Sequence, residues 1–102
     1  MARKVVWSGT AWADLEQTAD FISRDSSYYA AAFVRETRDA ARSLAHLGER
    51  GRIVPELGDP LIRELIVRSY RLIYRVTSEM CEVIAFVHGA RDLEALWEQR
   101  SR

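Results

Sequence analysis

The chain has 102 residues, 48% of them hydrophobic, and its 15 cationic side chains are balanced by 15 acidic ones for a formal net charge of zero. This length predicts one domain over residues 1–102, with a core able to bury roughly two-thirds of the unfolded surface, and the apolar share excludes a disordered chain. No apolar run approaches the roughly 20 residues of a membrane span, Met1–Ser8 reaches a polar residue too early for a signal peptide, and zero net charge does not announce a nucleic-acid binder, so a cytoplasmic protein with no membrane partner is expected.

Val5, Val6 and Trp7 read as a short first strand, because β-branched and aromatic residues cluster there. Ser8-Gly9-Thr10 breaks it, and Thr10 is the expected N-cap of a helix whose stripe is Ala11, Leu15, Thr18 or Ala19, and Ile22. Asp14 and Glu16 fall in its first turns, where the helix dipole favours anions and is reason enough for them. Arg24-Asp25-Ser26-Ser27 stops this helix and caps a second one, from Tyr28 to about Leu47. Its expected stripe is Tyr29, Phe33, Ala40, Leu44 and Leu47, with Gly48 as the C-cap.

Gly51–Pro60 reads as a loop, with Gly58-Asp59-Pro60 as a reversal; Gly48 and Gly51, with Arg50 and Arg52, lack phosphate-loop spacing. Three strands follow, Ile62–Val67, Tyr70–Val76 and Cys81–His88, joined by Arg68-Ser69 and by Thr77–Met80. A short helix or tail from Asp92 to Gln99 carries Leu93, Leu96 and Trp97. The order predicts an α+β fold: an N-terminal strand, a two-helix hairpin, then a three-strand antiparallel meander in one sheet. The hairpin would cover one face and leave the other partly open. Cys81 is the only cysteine and reads as a buried strand residue; no Cys/His spacing points to zinc, and no metal or cofactor is expected.

Among the cations only Lys4 is a lysine. Arg63, Arg68, Arg71 and Arg75 lie in a stretch with one acid, Glu64, whereas Ala11–Asp25 holds Asp14, Glu16, Asp20 and Asp25 against Arg24. In Tyr70–Val76, alternation puts Tyr70, Leu72, Tyr74 and Val76 on one face and Arg71, Ile73 and Arg75 on the other. With Arg68 at the turn and Arg91 after the last strand, these arginines would converge on the open face. Such a groove suits a phosphodiester or an acidic protein segment; the plainer reading is solvated or salt-bridged arginine. His88 beside Arg91 has the chemistry of an acid or base near neutral pH, or a structural role. His46 has no companions, and Trp7, Trp12 and Trp97 read as core or partner-facing aromatics.

Three segments carry a family resemblance: Gly51–Pro60 with Arg63-Glu64-Leu65, Tyr70-Arg71-Leu72-Ile73-Tyr74-Arg75, and His88-Gly89-Ala90-Arg91-Asp92. Together with the order of elements, they resemble the RelE/ParE toxin superfamily of type II toxin–antitoxin systems, the plasmid-stabilisation toxins, and most closely its ParE-like branch. The resemblance implies a toxin neutralised by a ParD/RelB-like antitoxin from the adjacent gene, whose C-terminal segment wraps it. The antitoxin's N-terminal part would carry the complex to operator DNA. RelE-like members cleave mRNA on the ribosome, and for that activity Arg68, Arg71 and Arg91 match the family's basic catalytic positions. Six residues after Arg91, however, where those nucleases place a tyrosine, this chain has Trp97, and indole cannot exchange a proton as phenol does. ParE-like members inhibit DNA gyrase and do not need that tyrosine. The resemblance thus favours a gyrase inhibitor with Arg71, Arg75, Arg91 and Trp97 as target-binding residues, ahead of a ribosome-dependent mRNA endoribonuclease or an inactive antitoxin-binding module.

Overall fold

In the computed structural model, which describes residues 2–101, the chain runs β1 (Lys4–Trp7), α1 (Gly9–Ser23), α2 (Ser27–Arg42), β2 (Arg52–Ile53), β3 (Ile62–Val67), β4 (Tyr70–Val76), β5 (Met80–His88) and α3 (Leu93–Arg100), with a 3₁₀ turn over Ser43–Ala45. The three expected meander strands pair antiparallel in chain order. Two edge strands complete a five-stranded mixed sheet, ordered β1-β5-β4-β3-β2. Strand β1 lies parallel to β5, with Val5 opposite Cys81 and Trp7 opposite Val83. The two-residue β2, expected as loop, adds antiparallel to β3, with Arg52 opposite Glu64.

The helix ends differ from the sequence reading in ways that matter. Ser8, not Thr10, caps α1, its hydroxyl accepting the Ala11 N–H at 3.0 Å. The helix therefore starts at Gly9, and Asp14 lies beyond the first turn, where the dipole is weak. Ser26 caps α2 through the Tyr29 N–H. The buried stripe of α2 is Ala30, Phe33, Thr37 and Ala41, continued by Leu44. That is the required three- and four-residue spacing, rotated by one position from the one expected. Tyr29 is instead 67% exposed and Leu47 58% exposed. Gly48 is not the C-cap, since α2 ends at Arg42. It leaves room for Arg3, whose guanidinium would lie 2.6 Å from an added Cβ.

The α1–α2 hairpin packs on one face through Ala11, Leu15, Phe33, Ala41 and Leu44 against Leu72, Tyr74, Val76, Cys81, Val83 and Phe86. Burial pushes the Cys81 thiol pKa above its ordinary value. An edge-and-stack cluster joins helix to sheet: Tyr70 stacks on Phe86 at 5.3 Å, and Phe33 meets both edge-on. The phenol of Tyr74 locks the loop before β2, donating to the Gly48 carbonyl at 2.8 Å and accepting the Gly51 N–H at 3.0 Å.

The second face is not left open. A separate cluster of Val54, Ile62, Ile73, Ala85, Val87, Leu93 and Leu96 covers it, with Leu57, Ile84 and Trp97 at its margin. A bulge in β5 makes this possible. Ile73 faces Ala85 but Tyr74 faces Val83, so Ile84 is an extra residue. The bulge reverses the alternation of β5. Cys81 and Val83 face the hairpin before it and Phe86 after it, while Ala85 and Val87 serve the second core. Five of the nine β5 residues, Cys81, Val83, Ala85, Phe86 and Val87, are buried for this reason.

Tyr74→Phe would leave the buried Gly51 N–H and Gly48 carbonyl without their partner. The expected loss is about 1–3 kcal/mol of unfolding free energy, read by urea denaturation, with an unchanged midpoint counting against this bridge.

Candidate functional site

Asp92 caps α3 by accepting the Ala95 N–H at 3.1 Å, and Leu93 and Leu96 bury against the second face of the sheet. At its far end Arg100 makes a two-pronged ion pair with Asp14 of α1, at 2.8 and 3.0 Å. Asp14 also accepts the Phe86 N–H at 3.0 Å. That amide needs an outside acceptor because β1 stops alongside Val83 and does not reach it. Asp14 thus ties α1, β5 and α3 together, a role that helix position alone did not show.

Helix α3 stands between two clefts. One, of about 640 Å³, runs between α1 and α3 and is lined by Gln17, Phe21, Tyr70, His88, Arg91, Gln99 and the Asp14–Arg100 pair, among others. The other, of about 390 Å³, holds Arg75, Ile84, Trp97 and Arg100 with the hydroxyls of Ser8, Thr10 and Ser101. A third groove of about 350 Å³ lies along the helical hairpin, with Phe21, Ile22, Tyr29, Ala32, Phe33 and Arg68 on its walls.

The arginines expected to converge are spread over these places. Arg91 lies in the α1–α3 cleft with His88. Arg75 and Trp97 share the cleft on the other side of α3. Arg68 occupies the tight β3–β4 turn with a left-handed backbone (φ 55°) and reaches Glu36 of α2 at 2.9 Å. Arg63, of the same basic stretch but not among those expected to converge, turns toward the Gly51 carbonyl at 3.0 Å. Arg71 points to the second face, as the alternation requires, but only 5% of it is exposed. Its Nε donates to Glu64 at 2.6 Å and its two terminal nitrogens donate to Glu56 at 2.7 Å each. Glu64 in turn accepts from Arg52 at 2.5 Å.

This buried network sets the electrostatics of the sheet. The paired hydrogen bonds from Arg71 hold the Glu56 carboxyl down to about 2, from an ordinary 4.5. The same bonds, with Glu64 behind them, raise the Arg71 guanidinium above its already high value. Burial raises the Tyr74 phenol. Arg71 therefore has no free fork for an external anion while Glu56 is in place.

In the α1–α3 cleft, His88 accepts the Ala90 N–H on Nδ1 at 3.0 Å and meets Tyr70 edge-on at 5.2 Å. The neutral ring thus carries its proton on Nε2 and presents a donor. The cleft is a donor-rich trench with aromatic walls. Among the described residues no group of three or more His, Cys, Asp or Glu could hold a metal ion. Three cleft residues carried no site expectation from the sequence: alternation placed Tyr70 only on a strand face, and Phe21 and Arg100 fell outside every motif. The one available signal was Arg100 lying three residues after Trp97, on the same side of a helix.

A family model described as the ParE toxin of the type II toxin-antitoxin system, parDE, matches residues 5–93. The chain belongs to that family and is a RelE/ParE-superfamily toxin of the type II toxin–antitoxin class. Toxin RelE2 of Caulobacter vibrioides is 35% identical over 89 residues, covering 86% of this chain and 97% of that protein. A solved structure described as the chromosomal ParDE TA system from P. aeruginosa superposes with a TM-score of 0.70 at 18% identity, covering 85% of this chain and 96% of that one. That likeness is one of fold, and the fold is the expected α+β arrangement of the superfamily. The family match ends where α3 begins.

Because the Glu56 pKa is depressed on folding, its pairing stabilises the protein above pH 4.5 and the stabilisation is lost as pH falls toward about 2. Glu56→Gln should accordingly be less stable than the wild type at neutral pH, with the two converging near pH 2. Guanidinium unfolding across that range checks this; a gap that is constant with pH would rule the linkage out.

Proposed function

We propose that the chain is the toxin of a type II toxin–antitoxin pair that acts by gripping a protein target, DNA gyrase, in the cytoplasm, without catalysis of its own. The observation that carries this reading is the dispersal of the arginines a nuclease would need together. Arg68 is engaged by Glu36 and Arg71 by Glu56 and Glu64, and only Arg91 faces the large cleft. Trp97 supplies no exchangeable phenol. A formal charge of zero also fits a protein target better than a polyphosphate. In this reading Arg75, Arg91 and Trp97 contact the target directly. Arg71 contributes by fixing the Val54–Leu57 segment on the sheet.

The cognate antitoxin occupies the hairpin groove. Its walls are apolar, and Tyr28, Tyr29 and Phe21 stand exposed there and beside it. An amphipathic helix laid in such a groove buries its apolar face and satisfies theirs. Operator DNA would be reached through the antitoxin.

One observation favours the second reading, ribosome-dependent mRNA cleavage: the phenol of Tyr70 and the imidazole of His88 line the same cleft as Arg91. The two readings separate on induction of the chain without its antitoxin. Under the first, methionine incorporation continues for minutes while cells filament, and purified protein blocks supercoiling by gyrase. Prompt collapse of incorporation with normal supercoiling would transfer the assignment to the nuclease. Arg91→Ala should abolish growth arrest while its thermal unfolding matches the wild type; a folded, fully toxic variant would remove Arg91 from the site.

A further inference from the structure

The α1–α3 cleft and the hairpin groove are neighbours, and one side chain lines both: Phe21. It is 63% exposed, near the C-terminal end of α1, with the Arg24 guanidinium over its ring at 5.9 Å. Nothing in the hairpin core needs it, since the buried residues of α1 are Ala11 and Leu15. On one side Phe21 extends the apolar wall of Tyr29 and Phe33. On the other it faces the donors of the cleft: Arg91, the His88 ring and Gln17.

The charge inside the cleft defines what it accepts. Arg100 is neutralised there by Asp14, so Arg91 is the one guanidinium of the cleft without a partner among the described residues. A single free fork matches a single carboxylate. A nucleic-acid strand would call for several cations along its path. The aromatic surfaces of Tyr70 and Phe21 suit an apolar side chain next to that carboxylate.

We propose that the α1–α3 cleft grips a carboxylate-bearing peptide segment of the protein target, and that Phe21 is a wall shared with the antitoxin's groove, so that antitoxin and target exclude one another. Neutralisation is then direct competition for one aromatic side chain. The proposal rests on the reading of the chain as a toxin with a protein target, and the experiment separates the two.

Phe21→Asp and Arg91→Ala are each expressed in full-length chain and compared with wild type for growth arrest, capture by the cognate antitoxin, supercoiling by gyrase and thermal unfolding. Phe21→Asp should weaken both growth arrest and antitoxin capture by about tenfold or more, as loss of a central aromatic contact does, with unfolding unchanged. Arg91→Ala should abolish growth arrest and gyrase inhibition while leaving antitoxin capture unchanged. Purified wild type saturated with antitoxin should form no ternary complex with gyrase. A ternary complex, or a folded Phe21→Asp that loses only one of the two bindings, overturns the shared wall. A wild type that arrests growth without touching gyrase overturns the protein-target reading and the peptide occupant with it. Gyrase inhibition that survives Arg91→Ala overturns the cleft and leaves that reading standing.

Discussion

A carboxylate buried in the middle of a sheet must be matched, and Glu64 sets that demand. Its side chain is fully buried on β3, and it is met by Arg71 from β4 and Arg52 from β2. Arg71 in turn has two more nitrogens to satisfy, and these draw in Glu56 from the loop before β3. The chain of pairing explains why a segment with turn chemistry lies down on the sheet. With Val54 fully buried beneath it and Leu57 at its margin, that segment roofs the second core. Removing one member of such a network strands an uncompensated charge, which typically costs about 3–5 kcal/mol. An isolated guanidinium on an open face would have carried no such structural consequence.

The second determinant is the bulge at Ile84. By reversing the alternation of β5, it gives the strand apolar groups for both faces. The face away from the hairpin can then hold α3, a short helix with only Leu93 and Leu96 buried. Asp14 completes the attachment by holding Arg100 and the amide of Phe86 at once. The position of α3 is what divides the surface into separate clefts and parts Arg91 from Arg75 and Trp97. Site geometry in this toxin is thus a consequence of strand register, with the loops following it.

Much of the architecture was legible in the sequence because it depends on short-range rules. Alternation in Tyr70–Val76 placed Arg71, Ile73 and Arg75 on the face opposite the hairpin, and the structure has them there. Turn residues marked the meander, and the Ser26 region marked the start of α2. The errors were of phase and of partner. Tyr29 and Phe33 both fit a helical stripe, yet the stripe that buries is one position round, because Ala30, Thr37 and Ala41 are the small residues that let α2 approach α1 and the sheet. Gly48 looked like a helix cap, but the space it leaves belongs to Arg3, far away in the chain.

The sequence by itself determined the fold class, the order of elements, the family and the face on which the β4 arginines lie, since these follow from periodicity, turn chemistry and local motif. Only the tertiary structure decided which arginines are free. Whether a guanidinium meets Glu56, Glu36 or open solvent depends on residues up to 32 positions away in sequence. Register, a bulge and a folded-back loop bring those partners together, and none of the three leaves a trace in the spacing of the arginines themselves.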